Sequence, residues 1–275
     1  MTNEQIAKDW RRDVVSALPW QRATNQNDLS NGVLRGYAVT APGLPRRGFL
    51  KPGLRLPEAD GKCWAAREKI AADLAHELGL PVPPAILWRQ ADRLPHVEPH
   101  VVITLIGHPN LIEWTRVRYL GARPPGTNEP DARKAFAACS GVLAFDTWLD
   151  QHEHARQHAG NLVWGYGSAD EAQITFLDYA SALGADGSWE SGGWRSVVVP
   201  AFDPFLLAAL DRVWLRRTVD AIELVSDERI KEIVARIPED FLPPSEKDML
   251  QKALTGRRGL VRETLERYRR AEEIS

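Results

Sequence analysis

Residues 149–164, LDQHEHARQHAGNLVW, crowd three of the chain's seven histidines, the acids Asp150 and Glu153, and Asn161 in front of a strand-like run. Histidine ligates metals and carries protons near neutral pH. His154 and His158 are four apart and would share a face on a helix, whereas His152 and His154, two apart, would share a face on a strand. With Asp150 or Glu153, either pair is a candidate zinc centre for hydrolysis. The two spacings demand different backbone geometry at His154, and no histidine follows His158. The competing reading makes these histidines exposed loop residues, or contacts for substrate phosphate when protonated.

Oxygen ligands offer a second chemistry. Asn161 opens the run NLVW, and Asp178 closes the later run QITFLD. If the two runs pair as a hairpin, both residues sit at its same end, where an amide oxygen and a carboxylate suit magnesium, a cation that keeps several waters and shares phosphate oxygens. The alternative makes Asn161 a turn residue and Asp178 a cap. A third candidate is Lys51, at the end of the short run RGFLK, with Glu68 in the following helical segment. A lysine held by a glutamate presents its ammonium to nucleotide phosphates. Alternatively, Lys51 is solvated and Glu68 pairs along its own helix.

These residues need elements to position them. VLRGYAVT (33–40) and RGFLK (47–51) flank APGLPR, whose prolines and glycine predict a turn and hence a hairpin. CWAAREKIAADLAHELGL (63–80) carries Ile70, Leu74 and Leu78 on one helical face, and Gly79 followed by PVPP stops it. PAILW (84–88) and PHVVITLI (99–106) read as strands, the second β-branched enough for a buried position. GARPPGTNEP (121–130) reads as a loop, ARKAFAACSGVLAFDTWLD (132–150) as a buried helix leading into the histidine-rich stretch, and the chain from about residue 203 as amphipathic helices. The expected fold class is α+β, with a small β-rich lobe over residues 1–106 containing one long helix, and a larger, mainly helical lobe over 107–275 that includes the hairpin.

Composition narrows the function classes. A chain of 275 residues with 44% hydrophobic and 26% charged residues and ten tryptophans is that of a globular protein with substantial cores. Its net charge of −2 gives no broad attraction to nucleic acid or anionic lipid, and the basic pairs Arg46-Arg47 and Arg257-Arg258 read as solvated charge. Cys63 and Cys139 lack a CxxC spacing, so neither a disulfide framework nor a cysteine zinc site is expected. With no apolar leader in MTNEQIAKDWRRDVV and no membrane-length apolar run, a cytoplasmic location without membrane contact is expected.

Taken in series, GFLKP, REKIAADLAHELGLPVPP, GVLAFDTWLDQHEH, GNLVW and ITFLDYASAL resemble the HipA-like kinase family, a bacterial branch of the protein-kinase-like fold. The likeness spans roughly residues 30–265. It implies a bilobal kinase-like fold and ATP- and magnesium-dependent phosphoryl transfer to a hydroxyl, expected on a protein serine or threonine. By position it implies Lys51 and Glu68 for nucleotide binding, Asn161 and Asp178 for metal, and the loop NDLSNGVLRGYAV, with Gly32 and Gly36, over the phosphates. The family's FDxWxxNxDR segment falls on residues 145–154, so its NxDR becomes Gln151, His152, Glu153 and His154. The catalytic carboxylate is then Glu153, or Asp150 if the loop is locally shifted. Because this segment departs from the family pattern, a pseudokinase that holds nucleotide or a protein partner without turnover is the alternative.

Overall fold

A computed structural model of the chain describes residues 3–22, 37–42, 48–51, 63–89, 100–105, 112–113, 129–151, 162–166, 172–176, 179–202, 206–207 and 210–272. The first lobe is built on a sheet that contains β1 (Val15–Ser16), β2 (Gln21–Arg22), β3 (Tyr37–Thr40), β4 (Gly48–Lys51), β5 (Ala85–Arg89) and β6 (His100–Leu105). These six strands run in the spatial order β1-β5-β6-β4-β3-β2. β3 and β4 are the expected antiparallel pair, with Tyr37 opposite Leu50 and Val39 opposite Gly48. β5 and β6 fall within one residue of the bounds expected from the sequence and also pair antiparallel, whereas β1 joins β5 in parallel.

Successive strand residues face opposite sides of a sheet, and β6 follows that rule. Val102 enters the large core, while Val101 and Ile103 enter a smaller core on the other face. Trp10 of α1 (Asn3–Arg12) and Trp20 close the smaller core, their rings meeting edge to face at 5.6 Å. The patterning of the sequence does not mark β1 or β2, since a two-residue strand has no period to detect.

α2 (Cys63–Glu77) packs on β5 and β6, with Ile70 and Leu74 fully buried as their spacing requires. It ends at Gly79, whose φ of 66° lies in the left-handed region. There the Gly79 N–H donates to the His76 carbonyl at 3.0 Å and the Leu80 N–H to the Ala75 carbonyl at 2.9 Å, the paired bonds of a Schellman cap.

The second lobe carries β7 (Ile112–Glu113), β8 (Leu162–Tyr166) and β9 (Ala172–Phe176), which form an antiparallel sheet in that order. Its helices are α3 (Glu129–Leu149), α4 (Arg212–Leu224), α5 (Asp227–Ala235), α6 (Pro244–Arg258) and α7 (Val261–Glu272). α3 starts inside the stretch 121–130 that reads as a loop, because Pro130 occupies its first turn, where a missing N–H costs nothing. The expected boundary at 106/107 lies outside the described residues.

From Cys139 to Leu149 every residue of α3 is buried. α3 crosses α4 closely at Gly141, where a Cβ would run into the Thr218 hydroxyl and a Leu80 methyl. A single large core joins α2 and the sheet to helices α3 to α7. Among the described residues, no helix is long and apolar enough to cross a membrane.

Candidate functional site

Of the residues singled out in the sequence, Glu68, Asp150 and the backbone of Lys51 are described. Gly32, Gly36, His152, Glu153, His154, His158, Asn161 and Asp178 lie outside the described residues, as does the Lys51 side chain. Lys51 ends β4 with its backbone opposite Val102 of the central strand. Glu68 lies in α2, 6% exposed, on a helix that packs against that same strand.

Glu68 also reaches the second lobe. One of its carboxylate oxygens, Oε2, accepts a hydrogen bond from the Tyr179 N–H at 2.5 Å. Tyr179 follows Asp178 directly in sequence, so the helix glutamate is tied to the backbone beside the candidate metal carboxylate. The Phe176 N–H donates to the Pro81 carbonyl at 3.0 Å, which fixes the end of β9 to the segment after α2. The β8–β9 hairpin pairs Leu162 with Phe176. Asn161 and Asp178 therefore flank the same end of that hairpin in sequence.

The C-terminus of α3 delivers the chain to the histidine-rich stretch. A helix leaves its last four carbonyls without helical partners, and here all four are met. The Gln151 N–H donates to Asp146 at 3.0 Å, and the Leu183 N–H to Leu149 at 2.7 Å. Arg257 of α6 donates through Nη2 to Thr147 at 2.8 Å and through Nε to Trp148 at 2.8 Å.

The bond from Gln151 to Asp146 has the six-to-one pattern of the cap that ends α2. At the position Gly79 fills there, α3 has Asp150, with a φ of 57°. A non-glycine residue is uncommon in this region, and an aspartate is among those that tolerate it best. Both Asp150 carboxylate oxygens are engaged: Oδ1 accepts from Arg257 Nη2 at 3.1 Å and Oδ2 from the Trp189 indole N–H at 2.7 Å.

Arg257 corrects the expectation of a solvated Arg257-Arg258 pair. Its side chain is fully buried, and its remaining donors, on Nη1, reach the Trp194 carbonyl at 3.2 Å and the Ser196 carbonyl at 3.1 Å. Burial pulls its pKa below the ordinary arginine value, and Asp150 opposes that shift. The guanidinium lies over the Trp189 ring, 5.2 Å from its centroid. A run of two arginines near a helix end gives no sign of which one turns inward, so spacing alone misses Arg257.

A second buried ionic group also escapes sequence reading. Lys69 of α2 is fully buried and donates to the Trp10 carbonyl at 2.7 Å and to Asp73 at 2.9 Å, while Arg236 bonds the other Asp73 oxygen. Burial lowers the Lys69 pKa, and Asp73 opposes that shift. This cluster joins α1 and α2 to the chain just after α5. Among the described residues, no group of three histidine, cysteine, aspartate or glutamate side chains could hold a metal ion, and the histidine cluster 152–158 is not among them.

No protein-family model matches the chain, and no curated protein matches it. Among solved structures it is similar to the crystal structure of the Helicobacter pylori proinflammatory kinase CtkA, at 16% identity, 95% coverage of this chain and 99% of that one, with a TM-score of 0.57. With its β-rich first lobe, the helix bearing Glu68 and its helical second lobe, the chain has the bilobal fold of that kinase.

Proposed function

We propose that the protein is an ATP- and magnesium-dependent phosphotransferase of HipA-like type that acts on a hydroxyl, with a protein serine or threonine as acceptor. The observation that carries this reading is the bond from the Tyr179 N–H to Glu68. It joins the helix after the Lys51 strand to the residue after Asp178, the juxtaposition a phosphate-binding lysine and a metal-binding carboxylate require.

Lys51, oriented by Glu68, holds the α- and β-phosphates, and the loop with Gly32 and Gly36 covers them. Asn161 and Asp178, which flank the Leu162–Phe176 end of the β8–β9 hairpin in sequence, supply the oxygen donors that suit magnesium. When bound, the metal neutralises charge that develops on the transferring phosphoryl group. Glu153 orients the acceptor hydroxyl and accepts its proton. Asp150 is the weaker candidate for that role, because both of its oxygens are committed to Arg257 and Trp189.

The test is thermal shift with ATP and magnesium, followed by transfer of labelled phosphate to a protein acceptor. Asp178→Ala should abolish the magnesium-dependent shift. Glu153→Gln should keep it and lose about a hundredfold or more in transfer rate. Full activity in Asp178→Ala would remove the metal assignment. The altered segment Gln151-His152-Glu153-His154 favours one second reading, a pseudokinase, for which binding without turnover is the signature. Stabilisation by zinc alone would point instead to the hydrolase chemistry of His152, His154 and His158.

A further inference from the structure

α3 ends with a carboxylate where a glycine would serve. The cap of α2 shows what this turn needs, a left-handed residue followed by a backbone N–H that reaches back into the helix, and Gly79 meets that need at no steric cost. Asp150 adopts the same conformation at a cost, so its side chain has a function that the cap itself does not explain.

That side chain, itself partly exposed, is the centre of a clamp whose other members, Arg257 and Trp189, are buried. All five Arg257 N–H donors are used, on the carbonyls of Thr147, Trp148, Trp194 and Ser196 and on Asp150 Oδ1. Trp189, 1% exposed, supplies the partner of Oδ2 and packs against Gly184, where a Cβ would overlap its ring. The Leu183 N–H holds the last carbonyl of α3. The end of α3 is thus joined to residues 183–196, the stretch that follows Asp178 and Tyr179. Gln151, 2% exposed, is the last described residue before Glu153.

We propose that Arg257 and Trp189 are positioning residues: acting through Asp150, they set the direction in which the chain leaves α3 toward Glu153, and so couple that carboxylate to the segment after Asp178. The inference rests on the reading of Glu153 given above. Neither residue touches substrate; each acts on the loop. An ordinary structural residue would lower stability everywhere when changed, whereas a positioning residue alters one loop and one rate.

Trp189→Phe removes the indole N–H and keeps an aromatic ring in the core. Asp150→Asn keeps a side chain that tolerates the left-handed turn, but it lacks the charge and turns either an N–H toward the indole or an N–H toward Arg257. Both variants, and the double variant, are compared with the full-length wild type by amide hydrogen exchange over residues 146–160, by thermal unfolding, and by kcat and KM for MgATP. Exchange over 146–160 should accelerate about tenfold or more while the rest of the chain keeps its protection. Transfer should lose about ten- to a hundredfold in kcat, with KM for MgATP within about twofold of wild type by the same argument. The double variant should lose less than the sum of the two single losses, because both changes act on the contacts of one side chain.

Unchanged exchange over 146–160 in both single variants would overturn the proposal. So would a kcat equal to wild type in variants whose unfolding temperature has fallen. A wild type that neither binds MgATP nor transfers phosphate would remove the kinase reading alone, and the clamp would then stand or fall on the exchange result.

Discussion

Glu68 is asked to serve two partners of different kinds, and substitution separates them. Its carboxylate accepts from the Tyr179 N–H, a bond that needs only an oxygen, while orientation of an ammonium at Lys51 needs the negative charge. Glu68→Gln retains an oxygen for Tyr179 and loses the charge. It should unfold within a few degrees of the wild type and transfer phosphate about tenfold or more slowly, in line with the greater strength of charge-assisted bonds. Glu68→Ala loses both and leaves a buried N–H without its partner, so urea denaturation should report a loss of about 1–3 kcal/mol. A Glu68→Gln variant with wild-type transfer would reduce Glu68 to an anchor for Tyr179. The sequence makes Glu68 visible as an acid in the first half of the helix that follows a strand lysine. Its bond to Tyr179 spans 111 residues and leaves no local trace, and the same blindness hides Arg257 and Lys69, whose burial depends on partners far along the chain.

At the scale of elements, what the sequence reveals divides by length and period. α2, α3, β3 to β6 and the β8–β9 hairpin are long enough for their apolar spacing to show, and each lies within a few residues of its expectation. β1, β2 and β7 are two residues long, so their place is set by the strands they join and not by their own letters. The turns from Tyr179 to Gly192 are equally silent in the sequence, because their order comes from Trp189 and from the neighbouring carbonyls held by Arg257. Helix packing is legible only once the partner is known. Gly141 looks unfavourable in the middle of a helix, yet it lets α3 approach the Thr218 hydroxyl on α4 and a methyl of Leu80. Gly141→Ala adds helix propensity but overfills this crossing, and the crowding should prevail, with a net loss of about 1–3 kcal/mol in chemical denaturation. A stabilised Gly141→Ala protein would mean that α4 can move away without cost.

Across the whole molecule, the two lobes share a large apolar core and are also tied by ion pairs. Arg67 and Glu77 of α2 meet Glu246 of α6 and Arg229 of α5, Asp73 of α2 meets Arg236, and Arg89 of β5 meets Asp240. The core makes unfolding of one lobe expose the other, so thermal unfolding should be a single transition by tryptophan fluorescence and by calorimetry alike. The ion pairs make it depend on pH. The hydrogen bond from Arg229 holds the Glu77 carboxyl below its ordinary value of 4.5. A carboxyl depressed on folding stabilises fully above its unfolded value, and that contribution is lost as pH falls through the lowered folded value. Burial, with Arg11 adding to it, likewise lowers His76 from 6.5, so acidification penalises the fold there too. Comparison of the wild type with Glu77→Gln isolates the carboxyl, because His76 is common to both. Glu77 is partly exposed, so the gap near neutral pH should be up to about 1 kcal/mol, or about 2–4 °C in unfolding temperature. It should narrow below pH 4.5 and close once the carboxyl is protonated in both states. A gap that persists in acid would mean that the glutamate packs and does not pair, and that the lobes are held at this edge by shape alone.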